Sequence, residues 1–138
     1  MRAFELHGGS GAAIPDTVID NALVVRHSDG TEIMNSGRPA QDGNFCMGVW
    51  KQTGPSTYKL NHFALGNQYV PGTPSGVVGD PAGPTRIVES VKLAHDGDHF
   101  SGPFTLTATN TSGNATTVFT GVVTATRITL DTTVADIL

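Results

Sequence analysis

Short runs in which apolar and polar positions alternate dominate this chain, which is the period of a half-buried β-strand. Residues 22–27, Ala-Leu-Val-Val-Arg-His, are rich in strand-forming types without strict alternation, and the chain returns over 31–34 after Ser28-Asp29-Gly30. Asp-Gly supplies the positive-φ positions of a tight turn, so the pair is predicted as a hairpin. Further strands are predicted over 45–51, 57–65, 86–94, 99–109 and 115–130. Asp96-Gly97 and Ser112-Gly113-Asn114 mark the turns between the last three. Residues 35–44 read as a loop. Residues 66–84 form the largest irregular segment, with four prolines and five glycines, and read as either a rim or lid loop or a plain connection. The tail, 131–138, has room for one helical turn.

About seven sequential strands, with no amphipathic helix among them, predict an all-β fold. It is a single antiparallel up-and-down β-barrel of seven to eight strands, with a sandwich as the competing architecture. The domain is assigned to 16–138. Residues 1–15, with the stretch His7-Gly-Gly-Ser-Gly-Ala-Ala, read as a flexible N-terminal segment.

Alternation also sorts the side chains. Ile87, Glu89, Val91 and Leu93 share a face, as do Phe100, Phe104 and Leu106, and Phe119, Val123, Ala125 and Arg127. These faces are predicted inward. The strand at 57–65 is ambiguous: Tyr58, Leu60, His62 and Ala64 lie on one side, with Phe63 and Leu65 on the other. Glu89 and Arg127 therefore fall on otherwise apolar faces. A charge in a dry core is costly unless paired. The two are expected to meet, with Tyr58 or His62 as further partners. They form either a structural ion pair at a barrel end or a polar cluster beside a cavity.

Composition agrees with strands and narrows the partners. Of 138 residues, 38% are hydrophobic and only 14% charged, and Gly (17) and Pro (8) are numerous. The net charge is −4 and no basic run exists, so nucleic acid is not an expected partner. No apolar run is long enough to be a spanning helix. The first fifteen residues lack the apolar core of a secretory signal. Few lysines, much Thr and Gly and one cysteine suit a bacterial extracytoplasmic protein slightly better than a cytoplasmic one. Cys46, between Phe45 and Met47, is expected to be a small buried hydrophobe.

Gly48-Val49-Trp50 resembles the Gly-x-Trp of lipocalins and related calycin barrels. The resemblance implies a tryptophan closing one barrel end, with a basic residue of the last strand, here Arg127, stacked over it. It covers a few residues and the strand order. A hairpin precedes the motif here, and the second lipocalin signature, around Thr-Asp-Tyr, has no counterpart. The run from Gly48 to Leu65 is also similar to a stretch of small uncharacterised bacterial proteins.

A barrel of this size with convergent polar groups is expected to bind a small apolar or aromatic molecule. The lining is expected from Trp50, Leu60, Phe104, Leu106 and Phe119, with Arg127 and Glu89 fixing orientation. The competing expectation is a cofactor-independent isomerase, cyclase, lyase or hydratase. There His62 would be the general acid or base, with Glu89 and Tyr58 beside it. No cofactor is called for. His95-Asp96-Gly97-Asp98-His99 carries metal-ligand types, but a hairpin tip needs those residues to turn. The strand edges leave room for a homodimer.

Overall fold

The computed structural model describes residues 2–9 (as backbone), 18–72 and 77–137. Its strands, in chain order, are β1 (Arg2–Gly9), β2 (Val18–Arg26), β3 (Thr31–Ser36), β4 (Phe45–Gln52), β5 (Thr57–Asn67), β6 (Pro81–Leu93), β7 (His99–Thr109) and β8 (Ala115–Arg127). Each pairs antiparallel with the next, so β2 to β8 make a curled up-and-down sheet. β1 pairs with both β2 and β8 and closes that sheet into a barrel. All-β patterning and short turns thus yield the expected architecture.

The turns form where predicted, with Gly30, Gly97 and Gly113 at positive φ, and Asx side chains add hydrogen bonds. At the β2–β3 turn, Asp29 Oδ1 accepts from the Thr31 amide at 2.9 Å and the Thr31 hydroxyl at 2.6 Å. At the β6–β7 turn, Asp96 Oδ1 accepts from the amides of Asp98 and His99. Asn110 Oδ1 does the same for Ser112 and Asn114 between β7 and β8. Asx side chains thereby take up backbone donors that no strand partner could reach.

Two boundaries differ from the sequence reading. Residues 2–9 are a strand, where a flexible segment is expected over 1–15; residues 10–15 lie outside the described residues. The Gly8-Gly9 pair masks the strand signal, while the backbone of 2–9 satisfies two otherwise open sheet edges. The irregular segment is also shorter than 66–84, because β5 runs to Asn67 and β6 begins at Pro81. β6 pairs with β7 only from Thr85 onward, so Pro84 owes no N–H to that neighbour. The tail forms a short 3-10 turn, Val134–Asp136.

The interior is built from alternate residues, among them Val24, Met34, Leu60, Val91, Phe104 and Val123, all buried. In β5 the ambiguity resolves with Leu60, His62 and Ala64 inward, and with Phe63 and Leu65 outward.

Candidate functional site

Among the described residues, two carboxyls and an imidazole lie in the barrel interior at 1% exposure: Glu32, Glu89 and His62. Their positions follow from register. Arg26 stands opposite Glu32 across the β2–β3 hairpin, Glu32 opposite Gly48, and Gly48 opposite His62. The inward row over four strands is therefore Arg26, Glu32, Gly48, His62. Glu32 and His62 are two strands apart, roughly 10 Å between backbones. They meet because the strand between them offers no side chain at that level. A Cβ on Gly48 would overlap the Cβ of His62 and come within 2.6 Å of its Cα. With Gly48 bare, His62 Nδ1 and Glu32 Oε1 are 2.7 Å apart, and Arg26 Nε donates to Glu32 Oε2 at 2.6 Å.

The electrostatics of this row divide the two carboxyls. Burial pushes Glu32 up, but the His62 hydrogen bond and the Arg26 charge outweigh it and hold Glu32 below the usual carboxylate range. Burial, with the nearby Glu32 charge added, pushes Glu89 up to about 7, although His62 and Arg26 pull it the other way. Glu89 Oε2 lies 3.6 Å from Arg26 Nη2, a charge contact beyond hydrogen-bond length. An ionised Glu32 can only accept, so the His62 proton it binds sits on Nδ1. That leaves His62 Nε2 and both oxygens of Glu89 as buried atoms without a hydrogen-bond partner among the described residues. Arg26 is further held by Phe100, whose ring centroid lies 4.4 Å from its guanidinium carbon.

One interior layer from this row, toward the β3–β4 and β5–β6 connections, the barrel opens into a cavity of about 470 Å³. Its walls are apolar: Met34, Cys46, Ala64, Ile87, Leu106 and Phe119. Met34, Ala64 and Ile87 each sit two residues along their strands from Glu32, His62 and Glu89. The rim is polar, with Asp20, Ser36 and Arg38. Ser36 donates to Asp20 at 2.6 Å, and Arg38 pairs with Asp42 at 2.7 Å. Burial raises Asp20, against the Ser36 hydrogen bond and the Arg38 charge. Burial likewise pushes the Cys46 thiol up to about 12, aided by the charges of Asp20, Glu32 and Glu89.

The expected site residues fall into three places. Leu106 and Phe119 line the cavity. His62, Glu89, Leu60 and Phe104 are buried in the core beneath it. Trp50 and Tyr58 lie at the opposite end, edge to face at 5.7 Å, and the Trp50 indole donates to the His27 carbonyl at 3.0 Å. Arg127 corrects two expectations. It meets neither Glu89 nor Trp50: its Nε pairs with Asp98 at 2.9 Å and Nη2 donates to the Gly97 carbonyl at 2.9 Å. It ends β8, where an inward-facing position already opens to solvent, and the β6–β7 turn offers the nearer carboxylate. The partner of the buried carboxyls is Arg26.

Sequence reading missed Arg26 and Glu32, and took Gly48 only as part of Gly-x-Trp, not as the gap that lets Glu32 reach His62. The signal for the first two exists, since they stand three residues either side of Asp29 and a tight hairpin sets them opposite. It is obscured because Leu23, Val25 and Ile33, on the other face, look more like core. His99 Nδ1 and Asp96 Oδ2 are 2.9 Å apart at the exposed β6–β7 turn, where Asp96 is already engaged by two amides. Among the described residues, no group of three His, Cys, Asp or Glu is placed to hold a metal ion. Nor, among the described residues, is any helix long and apolar enough to cross a membrane. No protein family, curated protein or solved structure matches the chain.

Proposed function

We propose that this barrel binds a small, mainly apolar molecule in the cavity at its β3–β4 end. The observation that supports this most is the cavity itself, about 470 Å³ with apolar walls and a polar rim. Ligand pockets run from roughly 300 to 1,000 Å³ with the same division of labour. The apolar body of the ligand would pack on Met34, Ile87, Leu106 and Phe119. A polar end would face Asp20, Ser36 and Arg38. Gly48-Val49-Trp50 and the strand order support a calycin-like reading of the same barrel, a fold type suited to such cargo. Native mass spectrometry, before and after mild organic extraction, tests the proposal. A co-purified mass removed by extraction supports it. A bare chain that also takes up none of a panel of small aromatic and fatty molecules counts against it.

One geometric feature favours a second reading, catalysis by His62. A carboxylate bound to Nδ1 orients the ring and leaves Nε2 to exchange a proton, as general acid–base chemistry requires. Glu32 fills the orienting place expected of Glu89. At 1% exposure, His62 reacts only with a substrate that passes the cavity floor. Conversion of a bound molecule that His62→Gln abolishes without loss of binding would establish this reading. Recovery of the molecule unchanged from the intact protein would remove it.

A further inference from the structure

The outer wall of β3, β4 and β5 carries a contiguous apolar patch. Ile33, Met47 and Phe63 face one another directly across three strands. Phe45, Val49 and Leu65 flank them on the same face. All six are exposed, Met47 to 61% and Leu65 to 75%. An antiparallel sheet with one face in water ordinarily carries polar residues there, and a contiguous apolar patch marks an interaction surface.

The charges around this patch are segregated. All three lysines of the chain, Lys51, Lys59 and Lys92, lie exposed on β4, β5 and β6 beside it. Lys51 stands directly opposite Lys59, a like-charge pair that costs sheet stability. Arg86 extends the Met47–Phe63 row on β6. The chain holds 12 acidic residues against 8 basic. Yet among the described residues no carboxylate occupies an outward strand position of β2 to β8; the acids sit in turns, at the rim or inside.

We propose that this wall docks on an anionic lipid surface. Phe45, Met47, Phe63 and Leu65 would enter the headgroup region, and Lys51, Lys59, Lys92 and Arg86 would meet lipid phosphates and carboxylates. Apolar insertion and basic attraction together are what hold a peripheral protein to such a membrane. A second copy of this chain fits less well. It brings no carboxylate on this wall to four cations that pairing would strip of water. A closed barrel is convex here, which a deformable lipid surface accommodates. The inference is independent of the cavity and its occupant.

The test is co-sedimentation of the full chain with vesicles of phosphatidylcholine alone, and of equal parts phosphatidylcholine and phosphatidylserine. Binding only to the anionic vesicles, weakened by salt, is expected. Each lysine replaced by glutamine should weaken it about fivefold. The pair Met47→Ser and Phe63→Ser should weaken it with the charge unchanged. Thermal unfolding of each variant shows that the barrel is intact. Absence of vesicle binding, or equal binding to both compositions, overturns the proposal. So does self-association in the ultracentrifuge that Met47→Ser abolishes, which assigns the wall to a second copy. Retention by an acidic polypeptide but not by vesicles overturns it in favour of a protein partner.

Discussion

Replacing Glu89 with glutamine should make this barrel more stable in alkaline solution, not less. The carboxyl ionises at 4.5 when free and near 7 in the folded chain, mainly because it is buried. The folded state thus holds this proton over a range where the unfolded state has released it. Its contribution is flat below 4.5, falls as pH rises from 4.5 to 7, and stays low above. Fully developed, the cost to the folded state is about 3 kcal/mol. Glutamine keeps the shape and cannot ionise. Parent and Glu89→Gln should therefore match at about pH 4, and the variant should gain about 3 kcal/mol at about pH 9. For a domain of this size that is roughly 10 °C in Tm. Glu32 titrates in the opposite sense, stabilising above its unfolded value and losing that effect in acid, but this is common to both proteins. Urea unfolding at the two pH values reads the difference directly. A variant that is less stable than the parent at alkaline pH would refute the reasoning, because it would mean that Arg26 and an ionised Glu89 are a net stabilising pair.

Gly48→Ala should cost about 3–5 kcal/mol, since the added methyl collides with His62 and separates it from Glu32; a denaturant midpoint near the parent's would show that the bare strand is not what lets them meet. The Cys46 thiol, buried and pushed up to about 12, should resist alkylation at neutral pH until the protein unfolds. Rapid labelling of the native chain would mean that the cavity admits reagent to Sγ. Arg127→Ala should change stability by less than about 1 kcal/mol, because its ion pair with Asp98 is half exposed. It should also leave the near-ultraviolet spectrum of Trp50 unaltered, whereas a changed spectrum would restore the stacking role that the Gly-x-Trp resemblance implies.

Strand periodicity and Asx–Gly turns carry local, short-range physics, so β2 to β8 and their order could be read from sequence alone. The same period fails where both faces are apolar. Leu23, Ile33, Phe63 and Leu65 compete with true core positions, and only closure of the barrel decides between them. His62 and Glu89 stand out as polar residues on apolar faces. Their actual partners, Arg26 and Glu32, come from β2 and β3, earlier in the chain, and the contact of Glu32 with His62 depends on a side chain that Gly48 does not have. A pairing enabled by an absent Cβ leaves no pattern in its own strand. Arg127 shows the opposite failure: alternation gives its face correctly, but a strand's last residue has left the interior, so face alone does not confer burial. β1 is hidden because no tight-turn signal links it to β2, and its other ladder forms with β8 at the far end of the chain.

The most direct test of the cavity reading is an NMR titration of the protein, followed at methyl and aromatic resonances, with naphthol as a small aromatic probe. Saturable shifts at Met34, Ala64, Ile87 and Leu106, with the Trp50–Tyr58 end undisturbed, are the predicted result. Shifts centred on Trp50 and Tyr58, or none at any concentration the probe reaches, would contradict it and return the barrel interior to a purely structural role.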